Sequence, residues 1–194
     1  MIHSVIIVNN SGQPRLIKFY TPVDIQTQSL LVKQVHSILS SRSDNQCSFL
    51  TPPPLLLEGM EDEVIRVIYR HYATLYFVFI VDEQESELGI LDLIQVFVES
   101  LDRCFENVCE LDLVFGWQVL QTVLGEMIQG GMVVETNINK IVAAVDEANR
   151  GTSSSGSSGP PRGSSGDSST FSKAFSNASS AFQAIARDGL WSGR

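Results

Sequence analysis

Two apolar periods alternate along the first 148 residues, and their order predicts the elements. IHSVIIV (residues 2–8) and PRLIKFY (14–20) are strand-like runs on either side of Asn9-Asn10-Ser11-Gly12, residues that tolerate positive φ, so they predict a hairpin. Asp24 can cap a helix to about Ser41, because Leu31, Val35, Ile38 and Leu39 recur on one helical face. Three prolines at 52–54 exclude a helix from the long link that follows, and Phe49-Leu50 or residues 55–57 predict a short strand there. Residues 64–69 (VIRVIY) predict another strand. Residues 72–82 (YATLYFVFIVD) predict a further one with two apolar faces.

Period two then gives way to period 3.6. Ser86 is the expected N-cap of a helix over about 87–106, where Leu91, Ile94, Val98, Leu101, Phe105 and Val108 are spaced by threes and fours. A helix over 116–128 should stop at Gly130-Gly131. A last one over 137–148 presents Ile138, Ile141, Val142 and Val145. Adjacent strands with short links imply antiparallel pairing. Helices before and after the central strands can cover opposite faces of one sheet, and this explains a strand that is apolar on both sides.

From Gly151 the composition changes. Residues 151–170 are Ser/Gly-rich and predict a flexible linker. In 171–194, Phe171, Phe175, Ala178, Phe182 and Ile185 carry a heptad-like stripe, compatible with a short amphipathic helix or a mostly disordered tail. Residues 1–150 hold nine Lys/Arg against 20 Asp/Glu, a net of −11, whereas 151–194 carry +2. An acidic body repels phosphate backbones, which argues against nucleic-acid binding. Cys47, Cys104 and Cys109 show no CxxC spacing, and residues 5–8 are too short for a secretory h-region. A reducing, cytosolic setting is expected, with membrane contact at most peripheral.

Catalytic patterns are missing from the sequence. His3, His36 and His71 lie in unrelated segments with no metal-ligand spacing, and GxSxG, P-loop and GxGxxG patterns do not occur. No catalytic residue, cofactor or metal is expected, and a protein-binding role fits better than an enzyme.

Several stretches are familiar as a group: IYRHYATLYFVFIVD, FVESLDRCFENVCELDLVF and the amino-terminal MI…NNSGQPRL.K.Y. They resemble the small (sigma) subunits of clathrin-adaptor-type complexes. ESELGILDLIQVFVE and GGMVVETN are closest to the sigma subunit of adaptor-protein complex three. The resemblance spans residues 1 to about 148 and leaves out the proline insert and the tail. It implies an α+β, longin-like (SNARE-like) fold. Its five-stranded antiparallel sheet would be flanked by helices on both faces, in the order β-β-α-β-β-β-α-α with a further C-terminal helix.

The resemblance also implies a heterotetramer with large (delta and beta) and medium (mu) subunits. Such a complex is recruited through small GTPases to Golgi, endosomal and coated-vesicle membranes, and it sorts cargo toward lysosomes or vacuoles. Cargo tails carry the acidic dileucine signal [DE]xxxL[LI]. The positions matching the family's leucine pocket are Ala73, Leu75, Val98, Val108 and Leu111, and Arg15 matches the acidic-side contact. On the strand expected over 72–82, Ala73 and Leu75 would share one face. The alternative is a purely architectural longin-like subunit of a tethering or GTPase-regulating assembly, without peptide binding.

Overall fold

The computed structural model describes residues 1–43, 46–54 and 64–153. The first hairpin forms from β1 (Ile2–Asn9) and β2 (Pro14–Phe19). Next come α1 (Ile25–Ser40), β3 (Phe49–Leu50), β4 (Arg66–Tyr72) and β5 (Leu75–Val81). The helical half is α2 (Glu87–Phe105), α3 (Glu110–Phe115) and α4 (Trp117–Met127), then a ribbon of β6 (Ile128–Gln129) and β7 (Met132–Val133), then α5 (Ile138–Ser153). The five-stranded sheet runs β2-β1-β5-β4-β3 with every pair antiparallel.

β1 and β5 lie inside the sheet, between β2 and β4, and all eight residues of β1 are buried. Their alternate side chains feed two cores. On one face Ile6, Val8, Val67, Tyr69, Val78 and Ile80 pack with Leu31, Val32, Val35 and Leu39 of α1. On the other, Ile7, Phe77 and Phe79 meet Ile94, Phe97 and Leu101 of α2, with Leu120 and Val123 of α4 and Ile141 and Val145 of α5 joining the same cluster. Helices therefore do cover both faces of the apolar strand. Phe77 and Phe97 meet edge to face at 5.9 Å, a favoured aromatic geometry in the middle of this layer.

Local signals place the helix starts. Asp24 accepts a hydrogen bond from the Thr27 amide at 3.0 Å, and Ser86 Oγ accepts one from the Gly89 amide at 3.3 Å. Three details depart from the sequence expectation, and one alternative is decided. β4 runs on through Arg70, His71 and Tyr72, so the turn to β5 is Ala73-Thr74, and Ala73 is not a strand residue. The short strand beside β4 forms at Phe49-Leu50, one of its two expected positions, while residues 55–57 lie outside the described set. α3 is a separate six-residue helix, and Gly116 ends it. Gly130-Gly131 does not merely stop α4; it turns the β6–β7 ribbon back on itself. Gly131 has φ of 80°, its carbonyl accepts the Ile2 amide, and a Cβ there would sit 2.5 Å from the Ile2 carbonyl oxygen, so glycine is required. The linker and tail expected over 151–194 lie essentially outside the described residues.

Candidate functional site

The end of the sheet carrying the β1–β2 loop and the β4–β5 turn gathers most of the sequence-predicted site residues. Leu75 opens β5 opposite Asn9 of β1 and is buried in the core layer under α2. Val98, on α2, is half-buried and packs against that same layer.

Val108 reaches the layer by a sharp reversal. Glu106 and Asn107, just past α2, both adopt left-handed backbone, with φ of 52° and 81°. The Asp102 carboxylate then accepts the Val108 amide at 3.0 Å. That bond folds the chain back on the last turn of α2 and leaves Val108 half-buried against the same core. Leu75, Val98 and Val108 thus share one apolar layer, and two of them keep part of their surface open.

The other two leucine-pocket candidates stand apart from this layer. Ala73 is exposed in the hairpin turn with φ of 52°, so it does not share a strand face with Leu75. Leu111 is 55% exposed, on the outer side of α3, and its neighbour Leu113 is the residue that enters the core. A helix of period 3.6 turns residues 111 and 113 about 200° apart, so only one of them can face inward.

Arg15 owes its position to an irregularity. Ile7 pairs with Leu16 and Val8 with Pro14, so β2 has one residue too many at this point, and Arg15 is that residue. Bulges re-aim side chains in this way. Arg15 Nε and Nη2 both donate to Glu110 Oε1, at 2.9 and 2.5 Å. Asn9 Nδ2 donates to the same oxygen at 2.9 Å, while Asn9 Oδ1 accepts the Ser11 and Gln13 amides and so shapes the β1–β2 loop. Hydrogen bonds from Arg15 and Asn9, then the nearby guanidinium charge and Thr74, hold the Glu110 carboxyl below its ordinary range. The sequence reading missed Glu110 and Asn9. The visible signal was the NN turn for Asn9 and the acidic pair Glu110/Asp112 at a helix start for Glu110.

A groove of about 370 Å³ lies elsewhere, along the outer edge of β4, with Arg42, Arg70, His71, Tyr69 and Tyr76 in its lining. It contains none of the predicted leucine contacts. Near the candidate site, by contrast, Leu111, Val114, Phe115 and Trp117 expose large apolar side chains within seven residues of chain. Single exposed apolars are ordinary, but such a group marks a surface for association. Among the described residues no group of three metal-ligating side chains converges, and no helix is long and apolar enough to cross a membrane.

A five-stranded antiparallel sheet in the order β2-β1-β5-β4-β3, covered by helices on both faces, is the longin-like architecture of adaptor small chains. The family model described as "Clathrin adaptor complex small chain" matches residues 1–152, and the chain belongs to that family, whose members are small adaptor-complex subunits in vesicle trafficking. It is 76% identical over 149 residues to the Candida albicans "Clathrin-associated protein AP-3 complex component APS3", covering 77% of this chain and 83% of that protein. It is 62% identical over 165 residues to the Saccharomyces cerevisiae "AP-3 complex subunit sigma", covering 81% and 85%. It is 52% identical over 150 residues to the human "AP-3 complex subunit sigma-2", covering 77% and 76%. Among structures, it matches a chain of a homology model of the full-length AP-3 complex in a stretched open conformation. That match has a TM-score of 0.62 and 61% identity, and covers 79% of this chain and 96% of the other.

Proposed function

We propose that this chain is the small subunit of an AP-3-type heterotetramer and helps bind acidic dileucine signals, [DE]xxxL[LI], in cargo tails. Its partners are two large subunits (delta and beta) and one medium (mu) subunit. The complex acts at Golgi and endosomal membranes after recruitment through a small GTPase, and it directs cargo toward lysosomes or vacuoles. The AP-3 sigma names of its relatives support the assembly.

The observation that carries the cargo reading is that the partly open Val98 and Val108 pack against the core layer that contains Leu75, with Arg15 re-aimed by its bulge at the end of the sheet where Leu75 opens β5. Burying two leucines would contribute on the order of 3–6 kcal/mol before ordering costs, which gives weak single-site binding. Several such contacts on one membrane raise the avidity.

The test uses the assembled complex. Val98→Asp places a charge against that layer while leaving the outer surface intact. Loss of dileucine-peptide binding with normal subunit co-purification is expected, whereas unchanged affinity would refute the site. The exposed Leu111 and the already engaged Arg15 favour a second reading, a purely architectural subunit. For that reading the unmodified complex shows no peptide binding at all.

A further inference from the structure

An arginine reserved for an incoming acid is expected to stand open, yet Arg15 already has a carboxylate. Two of its nitrogens converge on Glu110 Oε1, and a third donor to that oxygen comes from Asn9. Asn9 is the register partner of Leu75. The Arg15–Glu110 pair is therefore only one residue from Leu75, which belongs to the core layer that Val98 and Val108 pack against. We propose that Glu110 is an internal stand-in for the acidic residue of a dileucine-type ligand, and that it sets how strongly the site prefers an acid. This inference rests on the cargo reading above and adds a specificity residue to it.

Three features favour a stand-in over a simple brace. The pair is within reach of solvent, with side chains 20% and 27% exposed, so exchange of one carboxylate for another needs no opening of the core. Arg15 Nη1 makes no hydrogen bond among the described residues. An arriving carboxylate can engage that nitrogen before Glu110 lets go, because a guanidinium presents five N–H donors. Finally, a brace between α3 and the first hairpin requires only an acceptor oxygen. The full negative charge of Glu110 does something further: it cancels the Arg15 charge seen from a distance, on a body whose net charge repels acidic peptides.

The experiment compares two peptides on the assembled heterotetramer. They are identical except for Glu or Gln at the position four residues before the first leucine. Their affinity ratio is measured by fluorescence anisotropy for complexes carrying the unmodified subunit or Glu110→Gln. Glutamine keeps an acceptor for Arg15 and Asn9 while removing the charge. The acid-over-amide ratio should rise about fivefold in Glu110→Gln, the factor for an ion pair of the size found at protein surfaces. That gain should shrink with added salt. Glu110→Ala, which also frees Arg15, should move the ratio in the same direction and guards against a misfit of the glutamine.

With Arg15→Gln the ratio should fall to near one. An unchanged or reduced ratio in both Glu110 variants, with binding otherwise intact, would overturn the stand-in and leave a brace. Failure of the unmodified complex to bind either peptide would overturn the cargo reading and the stand-in together. These two failures are thus told apart by whether the unmodified complex binds.

Discussion

Ala73 shows how far a single residue can mislead. Around the turn the chain reads YATLYF, without the Gly, Asn or Asp that usually mark a tight hairpin, so nothing there signals a reversal. Yet Ala73 takes φ of 52° between β4 and β5. A Cβ in left-handed backbone costs about 1–2 kcal/mol, and glycine escapes that cost but loses more freedom on folding. Ala73→Gly should therefore stabilise the fold by about 0.5–1 kcal/mol, seen as a higher denaturant midpoint with an unchanged slope. A lowered midpoint would show that the Ala73 methyl makes a contact worth more than the strain. Leu111 teaches a related lesson: spacing alone does not tell which leucine of ELDLVF faces inward when the helix carrying it is short and separate from its neighbours.

At the scale of elements, long periodic segments were legible and short ones were not. The stripe Leu91–Ile94–Val98–Leu101 marked the helix α2, although its most buried face is shifted toward Ile90, Leu93, Ile94, Phe97 and Leu101, with Leu91 and Val98 at its margin; Ser86 and Asp24 marked two helix starts. α3 and the β6–β7 ribbon went unread because six residues, or two and two, hold too little periodicity to separate from a loop. The candidate site was legible to the same degree. Leu75, Val98 and Val108 lie on or directly beside long elements and belong to or pack against one core layer; Ala73 in its turn and Leu111 on its short helix are exposed. Arg15 was placed on its strand, but the bulge that aims it depends on pairing between strands, which one segment cannot reveal. The packing of α2 on the sheet turns on Phe97, fully buried against Phe77. Phe97→Ala should cost about 3–5 kcal/mol through lost burial and the cavity left behind. Thermal melting of the purified chain checks this, and a loss below about 1 kcal/mol would mean that the layer collapses to refill the space.

For the whole molecule, charge sets the response to pH. The Asp24 carboxyl is lowered by its hydrogen bonds from Thr27, Glu110 chiefly by Arg15, and Glu135 by the Asn137 amide and Lys140. A carboxyl depressed in the folded state contributes stability above its unfolded pKa and loses it as pH falls through the folded one. The melting temperature should therefore hold near neutrality and decline below the ordinary values of 3.8 and 4.5, with a shallower decline in Glu110→Gln. A melting temperature that rises on acidification would show that repulsion within the acidic body outweighs these bonds. The buried position of β1 bears on the order of events during synthesis. Its first partner, β2, follows at once, but its second, β5, pairs Asn9 with Leu75 and Ile2 with Val81. At roughly 5–20 residues per second, the far edge of β1 stays open for on the order of ten seconds after it leaves the ribosome. For that interval a strand whose every residue ends up buried is a nascent chain's free edge, and its safe passage depends on what shields it there.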